Sequence, residues 1–118
     1  MSRRDPLARL LHMRDFARKA LELTQGKSRA DLENDEVLRL ALTRLVELIG
    51  EAASRVPLET QAQYPEIPWA KMVSMRNRLI HGYDFVDIDI LWDTLRVNLP
   101  TLLAQLEAIL TRGGTARA

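Results

Sequence analysis

Arg76 and His81 are the residues whose types and spacing invite chemistry. They lie in Met75-Arg76-Asn77-Arg78-Leu79-Ile80-His81-Gly82-Tyr83, where an arginine falls on the apolar face of a helix that ends at a histidine. At about 100° per residue, Trp69, Met72, Val73, Met75, Leu79 and Ile80 share one half of that helix, whereas Lys71, Ser74 and Arg78 point the other way. Arg76 lands in the middle of the apolar half. An unpaired guanidinium in a core costs on the order of several kcal/mol. It must therefore meet a carboxylate (Glu47, Glu51 or Asp15), line a cleft, or face a subunit boundary that ligand can enter. At the end of the helix the ring of His81 can leave the bundle and meet Arg76 at one rim. Histidine, with an unperturbed pKa of about 6.5, gives and takes protons near neutrality, and arginine holds phosphate bidentately with a permanent charge. The pair suits phosphodiester cleavage in RNA, where the substrate's own 2′-hydroxyl is the nucleophile and no metal is required. One histidine cannot be acid and base in the same step, so a two-fold dimer that brings two such pairs to one cleft is mechanistically attractive.

The elements that must position this pair read as helices throughout. Asp5-Pro6 starts the first, with a capping carboxylate before a proline at the first helical position. Leu7, Leu10, Met13, Ala17, Ala20 and Leu21 then recur at helical spacing up to a stop at Gly26. Ser28-Arg29-Ala30-Asp31 resembles a capping box with Asp in place of Glu and opens a short turn. Asn34 is the expected cap of the longest helix, whose residues Leu38, Leu42, Leu45, Ile49, Ala52 and Val56 form a heptad-like seam. Val37, Ala41, Val46, Leu48 and Ala53 widen this arc to about half the circumference, enough for a bundle core plus a subunit interface. Gly50, inside that helix, costs about 1 kcal/mol relative to alanine and points to a close helix approach. Pro57 breaks the helix. Tyr64-Pro65-Glu66-Ile67-Pro68 is a stiff connector into the motif helix, which opens at Trp69 and stops at Gly82. Asp87 can cap a final helix with the stripe Leu91, Leu95, Leu99, Leu102, Leu106 and Ile109, kinked near Pro100. Thr111 to Ala118 reads as a frayed, flexible tail, leaving one domain over 5–110.

Bulk numbers bound the function. A chain of 118 residues can bury a core without staples. A formal net charge of +1 excludes a general coat of positive charge, so contact with phosphate needs a local patch or arginines pooled from two subunits. No cysteine is present and neither of the two histidines has metal-binding spacing to a second His or Cys, so the reading is no metal, no cofactor and a reducing, cytoplasmic setting. No run approaches the roughly 18 apolar residues of a membrane span. His12 should be exposed, and Trp69 and Trp92 read as core or interface anchors. Asp84, Asp87 and Asp89 suggest a cation site, yet helix capping accounts for Asp87 and Asp89.

Taken together, Tyr64-Pro-Glu-Ile-Pro-Trp69, the Met75 to Tyr83 motif, Val86-Asp-Ile-Asp-Ile-Leu-Trp92 and Leu48-Ile-Gly-Glu-Ala52 resemble the HepT-like toxins of the HEPN superfamily from about Leu7 to Leu110. The resemblance implies an all-α fold, an up-and-down bundle of four to five helices that forms a homodimer with metal-independent endoribonuclease activity at the dimer cleft. By the same resemblance Arg76 and His81 are the catalytic pair, Asn77 and Arg78 support the site or bind substrate, and Tyr83 is the tyrosine that a cognate MntA-like nucleotidyltransferase antitoxin modifies with AMP. The implied partners are RNA, a second copy of the chain and that antitoxin. The competing reading is an inactive, AMP-accepting or nucleotide-binding bundle that serves as scaffold to a nucleotidyltransferase. Intact Arg76, Asn77 and His81 favour the toxin, because a pure scaffold has no physical need for an inward arginine.

Overall fold

The computed structural model describes residues 6–79 and 86–117. Among them the secondary structure is helical, and no strand occurs. Helix α1 (Pro6–Thr24) ends in a turn. Within that turn Gly26 has a φ of 76°, a left-handed conformation that favours glycine. Helix α2 (Arg29–Asn34) opens with the expected capping box. The Ser28 hydroxyl accepts from the Asp31 N–H, and the Asp31 carboxylate accepts from the Ser28 N–H at 2.7 Å. The bond from the Ser28 N–H, with one from the Ser28 hydroxyl to the same carboxylate at 3.1 Å, holds the Asp31 carboxyl below its ordinary pKa.

The cap of α3 (Glu36–Ser54) differs from expectation. Asp35, not Asn34, caps it: the Asp35 carboxylate accepts from the Leu38 N–H at 3.0 Å, while its own N–H closes α2 on the Asp31 carbonyl at 2.9 Å. One extended residue thus ends one helix and starts the next, and Asn34 stays in the last turn of α2. Pro57 breaks the chain as expected but also begins a short helix the sequence did not announce, α4 (Leu58–Gln63). Its first bonds run from the N–H groups of Thr60 and Gln61 to the Pro57 carbonyl.

Helix α5 (Trp69–Leu79) carries the motif. Helix α6 (Ile88–Asp93) is capped by Asp87, which accepts from the Ile90 N–H at 3.1 Å. A π-helical turn at Thr94–Asn98 then leads into α7 (Leu99–Arg117), with the Leu99 N–H reaching back to the Thr94 carbonyl. Pro100 cannot donate to the Arg96 carbonyl and crowds it, so the expected kink takes the form of a widened turn. The helical backbone runs on to Arg117, past the Leu110 at which the sequence ended the domain.

Helix α1 packs between α3 and α7, α3 packs on α5, and α6 touches both α2 and α5. The core lies along these contacts, with Leu10, Met13, Leu42, Ile49, Leu79, Leu91, Leu99 and Leu106 all fully buried. The five seam residues within α3 and Val56 just beyond its end are buried, as are Val46 and Ala53, whereas Ala41 and Leu48 are half-buried and Val37 remains 77% exposed. The packed arc is therefore narrower than the sequence pattern. No helix among the described residues is long and apolar enough to cross a membrane.

Replacing Asp35 by alanine should lower stability by about 1 kcal/mol, since the start of α3 loses the carboxylate that caps it. Asn34→Ala should cost clearly less, and urea denaturation of the two variants side by side distinguishes these caps.

Candidate functional site

Along α5, Met72, Met75 and Leu79 face the core and are nearly or fully buried. Arg76 lies one turn beyond Met72, on the edge it shares with Trp69 and Val73, and is half-buried. The sequence placed Arg76 in the middle of the apolar half. The difference lies along the side chain: the stem of Arg76 packs toward α3 while the residue as a whole stays half-exposed. What brings the arginine against α3 is Gly50. A Cβ built on Gly50 would stand 2.9 Å from Arg76 Cβ, 3.3 Å from Arg76 Cδ and 3.2 Å from the Met72 carbonyl oxygen. The close approach read from the glycine is real, and its partner is the aliphatic stem of Arg76.

The guanidinium at the end of that stem has no ion pair among the described residues. Its Nε donates to Asn77 Oδ1 at 3.3 Å, and each of the three carboxylates that the sequence offered it lies nearer another arginine. Asp15 pairs with Arg14 at 2.9 Å, Glu47 with Arg44 at 3.7 Å and Glu51 with Arg55 at 3.7 Å. Among the described residues the Arg76 guanidinium is therefore unneutralised by a carboxylate and uses one of its five donors. Arg78 lies in the last turn of α5, but its side chain, like His81, Tyr83 and Asp84, falls outside the described residues. The two flanks of the segment that carries His81 and Tyr83 are fixed: Leu79 is fully buried, Val86 packs on the core, and the Asp87 N–H bonds the Leu79 carbonyl at 3.3 Å.

Asp89 has a role that sequence reasoning missed. Exposed in the first turn of α6, it accepts a hydrogen bond from Arg29 Nε at 2.7 Å and forms an ion pair with the same guanidinium at 2.6 Å, and Arg29 also pairs with Glu33 at 2.8 Å. Both carboxylates raise the Arg29 pKa, with the Asp89 hydrogen bond foremost. No sequence signal links two positions so far apart along the chain. Trp69 anchors the start of α5 by donating its indole N–H to the carbonyls of Tyr64 at 3.0 Å and Gln61 at 3.2 Å. Trp92 is half-buried. The Arg96 guanidinium lies over its ring, 5.4 Å from the centroid, a cation–π arrangement. His12 is exposed beside Phe16. Among the described residues no three His, Cys, Asp or Glu side chains converge as metal ligands would. A groove of about 360 Å³ lies elsewhere, between α1 and α7, lined by Arg14, Arg18 and Glu107 among others.

A small helical bundle with an arginine seated on a helix crossing, and with no carboxylate paired to it among the described residues, is the class of protein these observations define. The chain belongs to the HepT-like ribonuclease family: the family described as Ribonuclease HepT-like matches residues 13–109. It is 35% identical over 102 residues to the Probable ribonuclease HepT of Thermococcus cleftensis, covering 83% of this chain and 92% of that protein. It is also 31% identical over 109 residues to the Methanocaldococcus jannaschii protein named "Putative RNase MJ1380", covering 92% of this chain and all of that protein. No solved structure matches at comparable stringency.

Because the Arg76 head makes one side-chain bond and no ion pair among the described residues, Arg76→Ala should change stability by less than about 1 kcal/mol. Leu79→Ala, three residues on and fully buried, should cost about 2–5 kcal/mol in the same denaturation experiment.

Proposed function

We propose that the chain is the toxin of a toxin–antitoxin pair, an endoribonuclease that cleaves RNA without a metal at a cleft shared by two copies. The observation that carries this reading is Arg76: half-buried, bonded only to Asn77, and free of carboxylates among the described residues. A guanidinium left in that state can take a scissile phosphate bidentately without first giving up a partner. Family membership supplies the substrate class, since the matched family and its relatives are named as ribonucleases.

In this scheme Arg76 holds the phosphate and stabilises the charge that grows on its oxygens, with Asn77 steadying the guanidinium and Arg78 a further contact to the RNA. The 2′-hydroxyl attacks phosphorus and loses its proton to one His81, the 5′-oxygen leaves and takes a proton from the His81 of the other copy, and a 2′,3′-cyclic phosphate remains. All the atoms that change bonds, apart from the protons carried by histidine, belong to the RNA. Support for the dimer comes from α3, where Val37 and Leu40 stay exposed on the outer side of an otherwise packed apolar arc. Tyr83 stands two residues beyond His81 in the sequence. AMP attached to it by a nucleotidyltransferase antitoxin brings a phosphate and a base to the mouth of the cleft and neutralises Arg76.

Purified protein should cleave single-stranded RNA in excess EDTA. Arg76→Ala and His81→Ala should each lower the rate by about 10²–10⁴-fold, and Arg78→Ala far less; activity that magnesium alone restores would refute the metal-free scheme. Light scattering at micromolar concentration should give twice the chain mass of 13.5 kDa, and a monomer there would sink the shared cleft. After co-expression with the cognate nucleotidyltransferase, peptide mass spectrometry should find AMP on Tyr83. Tyr83→Phe should escape silencing, and AMP found only on other residues would reject this assignment.

A further inference from the structure

We infer that Gly50 is a positioning residue for Arg76: the absent side chain on α3 is the seat that sets where the guanidinium stands. This rests on the reading of Arg76 as the phosphate clamp. Three atoms of α5 close on one point of α3, two of them from Arg76 itself and the third a backbone carbonyl one turn earlier. The nearest, at 2.9 Å, is Arg76 Cβ, an atom that moves only if the helix moves. A methyl group at position 50 therefore displaces α5 outward or rolls it about its axis, and either motion is carried undiminished to the Arg76 side chain.

The distal contact acts on the side chain directly. The space that a Cβ on Gly50 would fill lies 3.3 Å from Arg76 Cδ as well as 2.9 Å from its Cβ, so the stem passes across the bare face of the glycine and a methyl group there would press on its distal part too. No carboxylate among the described residues orients the head, and the Asn77 bond of 3.3 Å comes from the adjacent residue on the same helix, so it travels with α5. The position of the charge relative to the rest of the bundle thus follows from how closely α5 approaches α3 at Gly50. The glycine lowers helix propensity by about 1 kcal/mol, which alanine would recover were the close approach not needed. A misplacement of even about 1 Å at a clamp costs on the order of 10²-fold.

The test is the affinity of the purified chain for a single-stranded RNA whose 2′-hydroxyls are replaced by hydrogen, so that it binds without being cut, measured by fluorescence anisotropy. Arg76→Ala should weaken binding. Gly50→Ala should weaken it by about tenfold or more, and should add little further loss in the Arg76→Ala background, because both act through one guanidinium. A Gly50→Ala protein that binds as wild type, or a loss of undiminished size in the Arg76→Ala background, overturns the proposal. Should Arg76→Ala itself bind as wild type, the phosphate-clamp reading is what fails. The seat is then judged by the NMR signal of the Arg76 Nε–H, which must shift in Gly50→Ala and whose constancy overturns it. If Gly50→Ala does not fold, Gly50→Ala/Arg76→Gly removes the opposing Cβ and Cδ and should restore folding, and its failure to do so also counts against the seat.

Discussion

The crossing of α5 over α3 at Gly50 is the contact on which the rest of this structure depends. Helix α3 is the shared wall of the bundle, with α1 on one side and α5 on the other, and a glycine on its α5 side lets a backbone carbonyl and an arginine stem come into contact with its backbone. A larger residue there would hold the helices apart and open the core below. Ile49 and Ala53, on either side of the glycine in sequence, are buried by the same packing, so the approach is continuous with the hydrophobic seam. Placing a cation at such a crossing is tolerable because only its aliphatic stem is desolvated while its head reaches water.

Around that crossing the chain is fixed by short hydrogen-bonded devices rather than by strong electrostatics. The Arg29–Asp89 and Arg18–Glu107 pairs join α2 to α6 and α1 to α7, yet their side chains are substantially exposed. Exposed pairs of this kind are worth about 0–1 kcal/mol each. They select geometry more than they add stability. The Asp87 N–H bond to the Leu79 carbonyl brings the end of α5 to the start of α6, and the Asp87 carboxylate then starts α6 at once. The segment between Leu79 and Val86 therefore has both ends set by the bundle.

What could be read beforehand follows from the range of each interaction. The α3 seam is legible because burial repeats with the helix, and Gly50 because an unfavourable residue in a helix interior demands a steric reason. The α1 stop at Gly26, the capping box at Ser28 and the cap at Asp87 are local rules written within a few neighbouring residues. The sequence points to Asn34 in place of Asp35 because both are good caps and only the backbone decides which is extended. Helix α4 is too short to show a period. The π turn, the Arg29–Asp89 pair and the diversion of Glu47 and Glu51 to Arg44 and Arg55 depend on how helices and side chains settle, which spacing alone does not contain. For the candidate site, spacing singled out Arg76, and the structure adds its close approach to Gly50 and, among the described residues, no carboxylate paired to it; His81, Tyr83 and the Arg78 side chain lie outside what the structure describes.

Why this position carries arginine follows from the same contacts. A lysine of similar reach would offer a compact, strongly hydrated ammonium, whereas the guanidinium is weakly hydrated and planar. One of its donors can rest on Asn77 while others stay directed outward. Were Glu47 or Glu51 to turn toward Arg76, the pair would have to be broken before an anionic ligand could bind. Arg44 and Arg55 stand within reach of those carboxylates on the same stretch of chain, three and four residues away, and engage them at 3.7 Å. These two arginines thereby keep the carboxylates occupied along α3 and its end. This leaves the charge on α5 available at the one place where the glycine lets it stand.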